Sequence, residues 1–245
     1  MEIEKNITTF VKNSPENWWR YEKINDSLVK EIVEAFSQTK KIKKDWTITP
    51  YCTEGRFGRC WSLNEENHND RFWINVFNGE EYNLKETNYI YVDASFSFIF
   101  KYKNKPALYV SFLFDNDKNL YIRQIQGFPK SSLHNKLGAN WKESAIYYVV
   151  KNFKTLKNVY LIEEDAIVDA VKTLYRNCYY EELHDPIMDR IKLNYETLRN
   201  SICFDKSKVK RFSPCSEHSS IQFKDVYFKV NKKKLANKHK NCYTD

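Results

Sequence analysis

Residues 88–129 read NYIYVDASFSFIFKYKNKPALYVSFLFDNDKNLYIRQIQGFP. The first run alternates with period two over Val92, Ala94, Phe96, Phe98 and Phe100. Asn104-Lys105-Pro106 breaks it, PALYVSFLF follows, and Asp115-Asn116-Asp117-Lys118 separates that run from LYIRQIQ. Connections this short leave no room for a crossover, so the three runs are predicted to form an antiparallel meander. Gly127-Phe128-Pro129 stops the third run, in a chain with only 5 glycines among 245 residues.

The pattern changes on either side. Trp141 to Lys154 reads as a helix with Ala145, Tyr148, Val149 and Phe153 on one side. VYLIEE is a short apolar strand, and Asp165 can cap a following helix that turns Ile167, Val168, Val171, Leu174 and Tyr175 inward. Another helix is expected over Ile187 to Ile202, after Pro186. Upstream, Asp26-Ser27 can cap a helix carrying Leu28, Ile32, Val33 and Phe36 on one face. Residues 46–80, with Trp46, Trp61, Trp73 and Phe77, read as an irregular aromatic layer punctuated by glycine. Strands followed by helix–strand–helix predict an α+β fold, with a mixed, mainly antiparallel sheet flanked by helices. Three parts are expected: an N-terminal helical and aromatic layer over 1–87, an α/β core over 88–202, and a C-terminal extension over 203–245. That extension holds one strand-like patch, IQFKDVYFKV, and a basic tail from Lys232 to Lys240.

A net charge of +8 permits contact with nucleic acid, an anionic surface or an acidic cofactor, and selects none of them. The 6 cysteines show no CxxC spacing and read as reduced thiols. Cys215 and His218 have no matching second pair, so no metal is expected there. MEIEKNITTFVKNSPENWW lacks an apolar stretch suited to a signal peptide, and no apolar run is long enough to span a membrane. A cytoplasmic location is the expectation. Walker, HExxH and Rossmann fingerprints are absent from the sequence.

Two resemblances follow. ALYVSFLFDNDKNLYIRQIQGFP, KLGANWKESAIYYVVKNF and VYLIEEDAIV together resemble the VirK/YbjX family of bacterial proteins. Gln126-Gly127 with Pro129 matches its strand-ending turn, one residue longer, and Gly138, Lys142 and Glu143 match its helix start. Trp141 departs from the family's proline, and IMDRIKLNYETLRNSI is similar to its basic C-terminal helix. This likeness implies a fold rather than a reaction.

The element order is also similar to the GNAT acyltransferase core. There a strand ends in a Gln/Arg-x-x-Gly-x-Gly/Ala loop whose amides hold the cofactor pyrophosphate at a helix N-terminus. Gln124-x-x-Gly127 keeps the first half, whereas Pro129 removes one donor. LYRNCYY resembles the GNAT helix-end pattern and places Tyr175 where a tyrosine protonates the leaving thiolate. The likeness implies transfer of an acyl group from acyl-CoA, or a related donor, to an amine acceptor. Tyr175 is then the candidate acid, and Glu163 or His134 the base. Gln124, Gln126, Gly127, Lys130 and Ser131 are candidate cofactor contacts, with Lys136 and Lys142 adding charge. Each has a plainer reading, as a turn at a sheet edge or a core tyrosine with a satisfied hydroxyl.

Two other classes stay open. Asp93, Glu143 and Asp165 resemble the carboxylate order of RNase H-like nucleases, which hold two Mg²⁺ ions. Ala94 replaces the usual glycine, and acids at helix starts are common for dipole reasons alone. A non-enzymatic binding protein would use Trp18, Trp19, Trp61 and Trp73 with nearby basic residues to meet a partner or single-stranded nucleic acid. His184 is a further possible base without an orienting partner in the sequence.

Overall fold

The computed structural model describes residues 26–37, 39–53, 72–74, 81–83, 94, 96–115, 117–128, 132–168, 185–214 and 222–241. The element order is α1 (Asp26–Phe36), β1 (Lys40–Lys43), β2 (Trp46–Thr53), β3 (Phe72–Ile74), β4 (Glu81–Asn83), β5 (Phe96–Tyr102), β6 (Lys105–Phe114) and β7 (Asn119–Gly127). A 3₁₀ turn (Leu133–Leu137), α2 (Trp141–Lys151), β8 (Asn158–Ile162), α3 (Asp185–Ile202), β9 (Cys203–Pro214), β10 (Gln222–Val230) and α4 (Lys232–Asn241) follow. Residues 164–168 are also helical.

All ten strands form one sheet in the order β4-β3-β2-β5-β6-β7-β8-β10-β9, with β1 paired to the start of β2. Among the described neighbouring pairs, β7 and β8 alone are parallel, and α2 makes the crossover that a parallel pair needs. The α+β class and the meander over β5, β6 and β7 agree with the sequence. Asn104 closes the β5–β6 turn together with Lys103, both at positive φ (63° and 48°). This is the conformation a two-residue hairpin with native twist requires.

The sequence divides near residues 87 and 202, but the sheet crosses both positions. Residues 46–53 were expected in an irregular layer and instead pair with β5 from Trp46↔Tyr102 to Cys52↔Phe96. Trp46 and Ile48 are buried, the alternation of a half-buried strand, and Pro50 obscures it in the sequence. At the other boundary, β10 lies between β8 and β9 and is integral to the sheet. The basic tail is a docked helix over Lys232–Asn241, with Leu235 buried and the Lys232 ammonium donating to the Leu156 carbonyl at 2.6 Å.

Cross-strand partners share a face, and the two faces of the sheet differ. One carries Phe96, Phe98, Phe112, Phe114, Leu120, Ile122, Val159, Leu161 and Phe228, all buried. Helices pack on it: Phe36 of α1 meets Phe96, Phe98 and Phe112, and Phe153, just beyond α2, meets Phe98, Phe112 and Phe114. Each such ring stabilises the fold by about 1.5–3 kcal/mol through burial. The other face is mixed: Ser97, Tyr109, Ser111, Tyr121, Arg123, Gln124 and Tyr227 are buried there beside the apolar Ile99, Leu113 and Ile162.

Candidate functional site at the carboxyl end of β7

Strand β7 pairs with β6 along its length, with one irregularity. Ser111 faces Gln124 and Phe112 faces Ile122, so Arg123 is an extra residue, a bulge. A bulge bends its strand and increases local twist. The parallel ladder with β8 covers only Asn119↔Asn158 to Ile122↔Leu161 and stops at the bulge. Beyond Ile122 the outer edge of β7 therefore has no strand beside it among the described residues.

That edge is met by α3. The Tyr195 hydroxyl accepts the Ile125 N–H at 2.9 Å, in a buried bond. Tyr195, Leu198 and Ile202 are the buried side of α3, one helical stripe. The helix is held by Arg199, whose guanidinium grips the Glu164 carboxylate through Nε (3.0 Å to each oxygen) and Nη2 (2.8 Å). The same guanidinium lies 4.7 Å from the Phe228 ring centre. Glu164 holds the Arg199 pKa above its ordinary value by this hydrogen bonding.

On the polar face, Arg123 Nη1 donates to the Tyr227 hydroxyl at 3.0 Å. Tyr121 stacks on Tyr160 at 5.0 Å and meets Tyr227 edge-on at 5.1 Å. The Tyr121 hydroxyl donates to Asp115 at 2.7 Å. Gln126 is exposed, and its side-chain carbonyl accepts from both Tyr109 Oη (2.9 Å) and Gln124 Nε2 (3.2 Å). Ser97 and Ser111 bond to each other at 3.1 Å.

Why glycine stands at 127 has a direct answer. A Cβ there would lie 2.5 Å from His134 Nδ1, because the imidazole rests on the glycine. His134 is also 4.8 Å from the Trp141 ring, so it is wedged between the end of β7 and the start of α2. The Phe128 N–H donates to the Ala107 carbonyl at 3.0 Å and continues the ladder with β6. That amide is spent, and the helix-side face of Gly127 is covered. Asn140 precedes α2, but its side chain does not cap the helix. Lys142, on the first turn, donates to Asn194 at 2.9 Å and lies 5.3 Å from the Trp141 ring centre. Burial lowers its pKa, with Arg190 adding to that and Glu143 opposing it.

The candidates from the sequence fall into three groups. Gln124, Gln126, Gly127 and His134 lie at the carboxyl end of β7. Glu163 is the residue after β8, two positions beyond Leu161, where the ladder with β7 ends at Ile122, and its N–H is bonded to the Val226 carbonyl of β10 at 2.7 Å. Tyr175, Lys130, Ser131, Asp93, His184, Trp18, Trp19, Trp61, Cys215 and His218 lie outside the described residues. The remaining nuclease acids are engaged apart from each other. Glu143 accepts from Ser201 at 3.0 Å, whereas Asp165 pairs with Lys192 at 2.7 Å. Those two partners are nine residues apart on α3, about 13 Å along a helix axis. Among the described residues no three His, Cys, Asp or Glu side chains are grouped to hold a metal ion.

Three residues of the site were missed: Arg123, Tyr195 and Tyr227. Arg123 left a trace. Leu120 and Ile122 alternate, and the next apolar residue is Ile125, three positions on. A period-two strand that slips to three marks a bulge. Tyr195 and Tyr227 come from distant segments, and nothing local links them to β7. No family model and no curated protein matches the chain.

Proposed function

We propose that the chain transfers an acyl group from acyl-CoA, or a related thioester donor, to an amine. The observation that carries this reading is the outer edge of β7 beyond Ile122, which has no strand beside it among the described residues and lies beside the Arg123 bulge. An extended arm that bears amides can add to such an edge by main-chain hydrogen bonds, as a strand does. The Ile125 N–H points out of the β6 ladder and towards that arm's path, where a donor carbonyl would compete with Tyr195 for it. The site lies outside the carboxyl ends of the parallel pair β7 and β8, where open sheets with parallel strands commonly bind ligands.

The fit is uneven in an informative way. The edge suits the arm of the donor, but the Gly127 face is taken by His134, and the Phe128 amide by Ala107. Phosphate binding therefore falls to Lys136, Lys142 and the start of α2 rather than to a glycine turn. In the reaction the amine nitrogen bonds to the acyl carbon while the carbon–sulfur bond breaks. Glu163 takes the amine proton, and the Ile125 N–H steadies negative charge on the acyl oxygen. Tyr175 is retained as the acid for the leaving sulfur. His134 serves as a wedge that fixes the strand end.

Isothermal titration with acetyl-CoA and CoA tests the reading, followed by thiol release in the presence of polyamines and lysine peptides. Saturable heat, and thiol release that Glu163→Gln slows, is the expected result. No heat with either compound overturns it.

A further inference from the structure

Two hairpins and the carboxyl end of α2 bring lysines from distant segments of the chain onto one region of the surface. The β1–β2 turn and the β5–β6 turn touch, with the Lys103 N–H donating to the Asp45 carbonyl at 2.7 Å. Lys43, Lys103 and Lys105 are exposed on these turns. Lys151, in the last turn of α2, is exposed and lies 6.0 Å from the Tyr147 ring centre. His239 of α4 stacks on that same ring at 3.7 Å, which ties the carboxyl end of α4 to the end of α2. Lys154 and Lys40 complete the band beside α1, where Lys154 pairs with Glu34 at 3.1 Å.

The charges act on one another. Burial depresses the His239 pKa to about 4, and Lys151 and Lys43 push it the same way. Burial and Lys154 lower the Lys40 pKa even though Glu34 opposes them. Six lysines stand there against Glu34 and Asp45, while Glu31 is turned inward to the Thr155 amide at 2.7 Å.

We propose that this band is a binding surface for the phosphate backbone of a nucleic acid, separate from the β7 site. Its charges are spread over two hairpins and the carboxyl end of α2, which suits an extended polyanion rather than a small one. They are lysine ammonium groups, which neutralise phosphates as point charges, so binding is independent of sequence. A membrane surface fits less well. Helices that lie on bilayers present apolar side chains beside the charge. The large exposed hydrophobic residues among the described ones are Leu193 and Phe204, on α3 and β9.

Fluorescence anisotropy with a labelled single-stranded oligonucleotide and a labelled duplex tests this on the full chain. Four phosphates neutralised predict that affinity falls by about two orders of magnitude from 50 to 200 mM salt. The triple variant Lys43→Gln, Lys105→Gln, Lys151→Gln should bind at least tenfold more weakly and show a shallower salt slope. A control with the same change in charge, Arg190→Gln, Lys192→Gln, Lys233→Gln, should bind as the parent does. Circular dichroism establishes that both variants are folded, and single variants substitute for a triple that is not. Equal losses in the two sets would overturn the proposal, since net charge alone would then account for binding. Absence of binding at 50 mM salt would overturn it too, as would tighter binding to phosphatidylserine vesicles that the band variant alone loses.

Discussion

The two faces of the central sheet are buried to a similar degree, but one is apolar throughout its centre and the other mixes polar with apolar side chains. Strand β6 shows it: Val110, Phe112 and Phe114 turn to the helices, while Tyr109 and Ser111 turn away together with Leu113. The helix face gains stability from apolar area. The polar face gains little, because each buried polar group only recovers in the protein the hydrogen bond it gave up to water. A chain that needed only stability would make both faces apolar. The buried polar groups and the bulge meet at Arg123, beside the part of β7 that has no strand along it among the described residues, and this is the observation behind the proposed site.

The sharpest test of this contrast is Phe112→Ala. Its ring touches those of Phe36, Phe98, Phe114 and Phe153. Truncation should cost about 3–5 kcal/mol in chemical denaturation. Next is Asp115→Ala, at the turn into β7. This carboxylate accepts from the Asp117 and Asn119 amides, the Asn119 side chain and Tyr121 Oη. Loss of roughly 3 kcal/mol is expected, since several buried donors lose a charged partner together. Gly127→Ala should cost about 1–3 kcal/mol by pressing on His134, and His134→Ala in the same chain should recover part of it. The smallest effect belongs to the polar face proper. Ser111→Ala should cost about 1 kcal/mol because Ser97 loses its bond, and Ser97→Ala added to it should cost little more. A double variant much worse than the single would mean the polar face is structural.

Acidity separates the helix layer from the sheet. His239 titrates near 4 in the folded chain against an ordinary value of 6.5. The unfolded chain therefore binds more protons between those values, and stability falls as pH drops through that window while being fully present above it. Melting temperature measured from pH 7 to pH 4 should show this fall, and His239→Phe, which keeps an aromatic ring against Tyr147, should flatten it. The buried Cys203 thiol, pushed up to about 12 mainly by desolvation, should not react with Ellman's reagent in the native state.

The meander was legible because the first run alternates from Val92 to Phe100 and the connections between β5, β6 and β7 are short and polar. Helix α1 was legible from Leu28, Ile32 and Phe36 on one face. Strand β2 was not, because Pro50 and the neighbouring aromatics break the pattern that Trp46 and Ile48 begin. The docking of α4 was hidden too. Leu235 and His239 are its inward residues, and five lysines between Lys232 and Lys240 outweigh them in any reading by composition. At the candidate site, Gly127 announced a turn, but the ring that requires it, His134, became evident only in three dimensions. Tyr195 meets Ile125 across 70 residues of sequence, a contact that only the fold creates.

If a thioester donor pairs with the outer edge of β7, as proposed, the amide resonance of Ile125 reports on it most directly. Titration of acetyl-CoA into ¹⁵N-labelled protein should give a saturable shift centred on Ile125, Gln126 and Gly127. Tyr195→Phe, which removes the hydroxyl that now accepts the Ile125 N–H, should change that shift. Shifts confined to Lys43, Lys103 and Lys151 would show the coenzyme's phosphates meeting the basic band alone, and with Ile125 unmoved they would contradict the account.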